Sequence, residues 1–327
     1  MTQLAAGRAG ARPRPPRIEY LAPGQGLPPD TLCAVQFGAA VTADDPRCVR
    51  VGLAPLDGTG ITETWRVDGP VTTGRDGVVH WARSPDYLAG RIELDEREFG
   101  GINGAARHAY ETLCAFQNRS AQPHLLRMWN YFDAVNRGDG DAERYRLFCA
   151  GRVAGFGAYA GARWPAATAI GRRDGSPLLQ VYWLAGHEPG VPLENPRQVN
   201  AYDYPRQYGP SPPVFSRAML VAGRLLLVSG TASILGHASH HPEDLARQLD
   251  ETLNNLDSLR QGGMAAASRP AADASVLKVY LRDPAGLDAV TAILRRRLPP
   301  GTRWLVLHAD VCRSELLVEI DCVQGLG

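Results

Sequence analysis

The stretch "ELLVEIDC", Glu315–Cys322, is the last strand the sequence predicts, and it closes the series of elements that decides the fold. Alternation places Leu316, Val318, Ile320 and Cys322 on one face, and Leu317, Glu319 and Asp321 on the other. Further upstream, "MLVAGRLLLVSG" (219–230) reads as two short strands turning at Ala222-Gly223. The segment "HPEDLARQLDETLNNLDSLR" (241–260) follows, with Pro242 near its start, acids in its first turn, and Leu245, Leu249, Leu253 and Leu256 on one face. That pattern predicts a helix. A strand "SVLKVYL", a helix "PAGLDAVTAILRRRL" and a strand "RWLVLHADV" complete the run. The order β-β-α-β-α-β-β implies an antiparallel or mixed sheet with its helices on one face.

A carboxylate at the centre of so apolar a strand has two readings. Pattern alone favours a Glu319 that faces water. The alternative is a Glu319 that lines a pocket as an acid or base.

The N-terminal part is strand-rich to about Leu94, through "LCAVQFG", "CVRVGLAPL", "ITETWRVD" and "GVVHWARS". Helical segments "AARHAYETLCAFQN" and "DAERYRLFCAGRVAGF" flank "PHLLRMWNYF", and "PLLQVYWLAG" follows as a strand. Element order therefore suggests that the two halves share one architecture, although no repeat is visible in the residues themselves. The proline-rich "YDYPRQYGPSPPVFSRA" joins them.

Composition narrows the function classes. At 327 residues the chain is long enough for two domains, and its 44% hydrophobic and 21% charged content is that of a globular protein. A formal net charge of +1 gives no global reason to expect a nucleic-acid or membrane partner. No apolar run approaches the ~20 residues of a membrane span. The start of the chain is rich in arginine and proline and lacks an apolar core, so it reads as a disordered tail rather than a secretory signal. Six cysteines without CxxC spacing imply neither a zinc site nor a disulfide framework, and a cytoplasmic location fits. Lys278 is the only lysine, and it lies in a predicted interior strand, which argues against imine chemistry.

Candidate polar residues carry competing readings. Tyr145 and Arg152 are two helical turns apart and share a face with Phe148 and Cys149. They could present a phenol and a guanidinium to a carboxylate, or Arg152 could simply snorkel from the core edge. Tyr204, Tyr208 and Arg217 sit among prolines that stiffen the connecting segment, which is either a plain linker or a way to place these groups at a cleft. His237, His240 and His241 precede a helix without a carboxylate at ligand spacing and read as a polar entry loop, so no metal is expected. No GxSxG elbow or Ser-His-Asp order supports covalent hydrolysis.

Taken together, the blocks "RMWNYF", "YRLFCAGR", "PAATAIG", "ENP", "YPRQYGPSPPVFSRA", "TASILGH", "LKVY" and "LLVEI" resemble the chorismatases, which remove pyruvate from chorismate. The resemblance runs from "GVVHWARSPDYL" to the C-terminus, and the last ~110 residues also look like the RidA-like deaminase fold. It implies an α+β fold with two RidA-like (chorismate-mutase-like) sandwich lobes, each a mixed sheet with helices on one face. The corresponding division is a tail at 1–22, an N-terminal chorismatase domain at 23–205 and a RidA-like domain at 206–327. The chain would be a monomer or a RidA-like trimer. By position, Tyr145, Arg152, Tyr204 and Arg217 would hold substrate and Glu319 would be the catalytic acid/base. RidA-like deaminases carry an arginine ahead of this strand. The nearest candidate here is Arg303, in an unsettled register, so deamination is not expected.

The implied chemistry suits these residues. Chorismate is a dianion, and two arginines offer planar forks for its two carboxylates, with tyrosines as neutral donors beside them. Cleaving its enol ether begins by protonating the terminal methylene, which requires a carboxylic acid still protonated near neutral pH. No metal or organic cofactor is called for. One chorismatase subtype adds water and releases a dihydroxycyclohexadiene carboxylate with pyruvate. Another yields 3-hydroxybenzoate and pyruvate without net water, and characteristically has Gly and Cys where Gly230 and Cys312 stand. Those two positions point to 3-hydroxybenzoate, made for secondary metabolism. They also admit plainer readings, a close-packing glycine and a small apolar filler. The alternatives are the hydrolytic chorismatase and a non-catalytic RidA-like module that binds a small carboxylate.

Overall fold

The computed structural model describes residues 13–325, except 23, 39–44, 57, 59, 158, 160–162 and 268–274. Three sheets converge on a shared interior. The first is small, with β1 (Arg17–Leu21), β2 (Thr31–Phe37), β3 (Cys48–Val51) and β4 (Ile61–Arg66) in the order β1-β4-β2-β3. Its strand β1 falls within the tail expected at 1–22, so the end of that segment is ordered by pairing with β4. Residues 1–12 lie outside the described residues.

The second sheet is built from β5 (Thr72–Asp76), β6 (Val79–Arg83) and β7 (Tyr87–Asp95), helix α1 (Ile102–Gln117), β8 (His124–Asp133), helix α2 (Arg144–Phe156), β9 (Ala166–Arg172) and β10 (Leu178–Gly186). The third follows the same plan. It has β11 (Val191–Leu193), β12 (Ala218–Val221), β13 (Leu225–Ala232), a two-residue pair β14 (Ile234–Leu235) and β15 (Ala238–Ser239), helix α3 (Leu245–Ala266), β16 (Ser275–Leu281), helix α4 (Leu287–Arg297), β17 (Arg303–His308) and β18 (Val318–Gly325). The spatial orders are β5-β6-β7-β10-β8-β9 and β11-β12-β13-β18-β16-β17. In each lobe the last strand inserts between a hairpin strand and the strand that follows the first helix, and one parallel pair makes the sheet mixed. This is the expected α+β architecture of two similar lobes with helices on one face. Strand β11 precedes the division placed at residue 206 yet pairs with β12 beyond it.

Local chemistry explains the elements. The β12–β13 hairpin turns through Ala222, Gly223 and Arg224, with Ala222 and Gly223 at positive φ (52° and 68°) and the Arg224 N–H donating to the Val221 carbonyl at 3.0 Å. Helix α3 starts at Asp244, whose carboxylate accepts from the Arg247 N–H, and buries Leu249, Leu253 and Leu256 against the third sheet. Helices α1 and α2 touch closely because Gly151 faces the Asn103 carbonyl, where any Cβ would overlap it.

Along β18, Val318, Ile320 and Cys322 pack toward α3 and α4, whereas Val323 joins the core shared by all three sheets. Glu319 and Asp321 share the face of Val323. The face opposite the helices is therefore interior, not solvent, because the other two sheets cover it. Glu319 lies across from Tyr280 on β16, and Gln180 on β10 lies across from Tyr131 on β8, so the two positions correspond in the two lobes. The two tyrosines meet, hydroxyl to hydroxyl, at 3.0 Å. Gln180 is fully engaged. Its oxygen accepts from Arg172 at 2.8 Å, and its amide donates to the Arg50 carbonyl and to Glu93, each at 2.6 Å. No helix among the described residues is long and apolar enough to cross a membrane.

Candidate active site

A cavity of about 360 Å³ opens where α2, β9, the connecting segment and the third sheet meet. The lobes are stitched together beside it. The Ser229 hydroxyl accepts from the Ala167 N–H at 2.8 Å and donates to the Ser216 carbonyl at 2.6 Å. Tyr145, Tyr204, Arg217, Gly230, Cys312 and Glu319 all reach its wall. The structure thus gathers residues from α2, the proline-rich segment, β13 and β18 that are up to 174 positions apart (319 − 145).

Glu319 is 4% exposed. Burial, reinforced by the nearby Asp321 carboxylate, pushes its pKa up to about 8, against the opposing pull of Arg127 and Arg217. Its carboxyl is therefore a proton donor at neutral pH. Cys312 Sγ lies 3.9 Å from Glu319 Oε2, and burial pushes that thiol up, so it stays protonated. Tyr145, on the first turn of α2, has its phenol pushed well above its ordinary value by burial and remains a neutral donor.

Arg217 is 3% exposed and lies against the Tyr204 and Phe215 rings. One terminal nitrogen donates to the Val199 carbonyl and to the Tyr204 hydroxyl, both at 2.8 Å, while Nε is buried without a protein partner. A guanidinium so placed has donor capacity left for an anion. Arg152 is placed differently. It is buried on α2 between the Tyr110 and Phe156 rings, 5.3 and 5.4 Å from their centroids, and is not part of the cavity wall. Its face of the helix packs toward α1, although its Nε and Nη2 also lack protein partners.

Sequence reasoning missed Arg313. The nearest candidate for the deaminase arginine, Arg303, is exposed at the start of β17, where it stacks on Tyr20. Arg313, ten residues on in the turn before β18, lines the cavity over the Tyr208 ring at 4.0 Å. It donates to the His237 carbonyl at 2.9 Å and to the Ser239 hydroxyl at 3.0 Å. Its turn is pinned by Arg282, which donates to the carbonyls of Val311, Arg313 and Leu316, and by Asn136, which donates to that of Cys312. The one available signal was adjacency to Cys312. His237 is hydrogen-bonded to Tyr208 at 3.1 Å, and among the described residues no three His, Cys, Asp or Glu side chains gather as a metal site.

A neutral acid, three phenols and three guanidiniums (Arg146, Arg217 and Arg313) around one cavity can bind a small carboxylate and deliver a proton to it.

Comparison with known proteins places the chain in a family. Residues 63–185 match the family described as chorismatase FkbO/Hyg5-like, N-terminal. A chorismatase of Streptomyces rapamycinicus is 37% identical over 303 residues, 88% of each chain. A 3-hydroxybenzoate synthase of Streptomyces hygroscopicus is 37% identical over 280 residues, 80% of each chain. A crystal structure of a chorismatase, 31% identical, superposes with a TM-score of 0.83 over 95% of this chain and 98% of that one.

Proposed function

The chain belongs to the chorismatase family, and from that premise we propose that it converts chorismate to 3-hydroxybenzoate and pyruvate, with Glu319 as the proton donor. The observation that carries this reading is the buried, protonated Glu319 on the wall of a cavity that also holds Arg217. A cavity of about 360 Å³ suits a small molecule.

In this reading Arg217 takes one substrate carboxylate at the cavity wall, and Tyr204 and Tyr145 add neutral donors. Arg313 supplies a second cation on the wall. Arg152 stands behind the wall, against the Tyr110 and Phe156 rings, and would act on the substrate only through the placing of α2. Glu319 gives its proton to the terminal methylene of the enolpyruvyl group, producing an oxocarbenium ion. The oxygen of the neighbouring ring hydroxyl then bonds to the ring carbon that carried the ether, the ether C–O bond breaks and its electron pair becomes the pyruvate carbonyl, and the hydroxyl proton returns to Glu319. Opening of the resulting epoxide with a ring hydrogen shift gives 3-hydroxybenzoate without net water. Gly230 and Cys312 support this product over the diol, because they sit against the two oxygens of the donor. A module that only binds carboxylates has no use for a buried acid, whose placement costs folding free energy.

The test is to incubate the purified protein with chorismate and separate the products by chromatography. We expect 3-hydroxybenzoate with equimolar pyruvate. The dihydroxycyclohexadiene carboxylate as main product would establish the hydrolytic reading, and recovery of unreacted chorismate would favour the binding module.

A further inference from the structure

Behind Glu319, on the same face of β18, Asp321 anchors a set of charges that the chemistry above does not use. Asp321 pairs across the sheet with Lys278, as Glu319 does with Tyr280. Its Oδ1 is 3.5 Å from the Lys278 ammonium. Its Oδ2 accepts from the Tyr280 hydroxyl at 2.8 Å and the Trp129 indole at 3.2 Å, and lies 3.5 Å from Arg127. Lys278 also donates to both oxygens of Glu63 on β4, at 3.2 Å each. All four charged side chains are at most 2% exposed, and they come from all three sheets.

The charges cancel without Glu319: two cations, Lys278 and Arg127, face two carboxylates, Asp321 and Glu63. An ionised Glu319 would add an unmatched negative charge two residues from Asp321, in an interior that penalises it heavily. Of the other groups facing Glu319, Tyr280 from β16, Tyr145 from α2 and Cys312 ahead of β18 are neutral, and Arg217 opposes the effect of Asp321 from the cavity side. Arg313, Arg146, Glu143 and Glu315 line the same cavity, two cations with two carboxylates. A second observation singles out the same cluster. Among 35 basic residues, Lys278 is the only lysine. A compact ammonium with three freely rotating donors can serve two carboxylates at close range, where the longer, planar guanidinium cannot take its place.

We propose that Asp321, held by Lys278 and Arg127, is a positioning residue for the reaction, whose fixed negative charge keeps Glu319 in its acid form. This rests on Glu319 being the donor. The small N-terminal sheet thereby acts on catalysis through Glu63, which holds Lys278 in place.

The test is the pH profile of kcat/KM for chorismate in the full-length Asp321→Asn variant, which removes the charge and keeps the shape. The alkaline limb should move toward acid by roughly half a pH unit or more, since Glu319 then ionises more readily. Glu63→Gln should move it in the same direction by a smaller amount, by freeing part of the lysine charge, and it decides the matter if Asp321→Asn fails to fold. A folded variant whose activity falls equally at every pH, with the limb unmoved, would show that the cluster is only structural and overturn the inference. Failure of the donor assignment looks different: Glu319→Gln would then retain turnover.

Discussion

The Glu319 carboxyl is bracketed by two residues, with Oε1 occupying the space that a Cβ at Gly230 would fill and Oε2 facing the Cys312 sulfur at 3.9 Å. A methyl group at Gly230 would overlap Oε1 and also touch Thr168 at 3.4 Å, so the carboxyl would have to turn. Residue 230 therefore limits the orientation open to the Glu319 carboxyl.

Product choice should follow. Gly230→Ala combined with Cys312→Ala is expected to yield measurable dihydroxycyclohexadiene carboxylate at the expense of 3-hydroxybenzoate, while still releasing pyruvate. A change of only ~1.4 kcal/mol between competing barriers alters the ratio tenfold. Chromatography of an active double variant that gives 3-hydroxybenzoate alone would show that these positions do not set the outcome.

Glu319→Gln should retain chorismate binding and lose at least ~10²-fold in turnover, because an amide cannot donate the proton. Calorimetric titration beside steady-state kinetics separates the two effects. Wild-type turnover in the variant would remove Glu319 from the chemistry.

The pH dependence has a definite sign. Glu319 is the active acid while protonated, and burial with Asp321 beside it places its pKa at about 8, so kcat/KM should fall as pH rises through that value. Stability follows the same direction. The folded-state pKa is raised, so the contribution of the protonated form is fully present below the unfolded carboxyl range and is lost as pH rises toward 8. Urea unfolding of Glu319→Gln between pH 5 and 8 should accordingly show a flatter profile than wild type.

Arg217→Ala should weaken chorismate binding by about 2–5 kcal/mol, the effect of leaving a buried substrate carboxylate unpaired. Arg152→Ala, whose guanidinium lies behind the wall against Tyr110 and Phe156, is expected to weaken it less. Binding measurements on each variant apportion the carboxylates, and unchanged affinity in both would dismiss the two-arginine clamp.

The order of strands and helices was legible because each lobe alternates apolar periods of two and 3.6, and Asp244 and Ala222-Gly223 mark a helix start and a hairpin turn. Strand β9 was not, since "AATAIGR" is small-residue-rich and buried on both faces, without alternation. The environment of Glu319 was equally hidden. An alternating strand predicts two faces but cannot say that two further sheets will cover the second one. Tyr145 and Arg152 do lie on one helix, yet the helix packs by its buried face against α1, which carries Arg152 away from the wall that Tyr145 joins. Arg313 sits in an irregular turn, where no periodicity can reveal which way a side chain points.

The matched positions Glu319 and Gln180 give the two lobes unequal duties. A carboxylate at 180 could accept from Arg172 but could donate neither to the Arg50 carbonyl nor to Glu93, and would instead face Glu93 as a like charge. The amide closes that half of the molecule to acid chemistry and turns it into a brace. From one repeated plan the protein thus obtains one half with a buried acid open to a cavity and, on the proposed reading, an inert twin that holds it in shape.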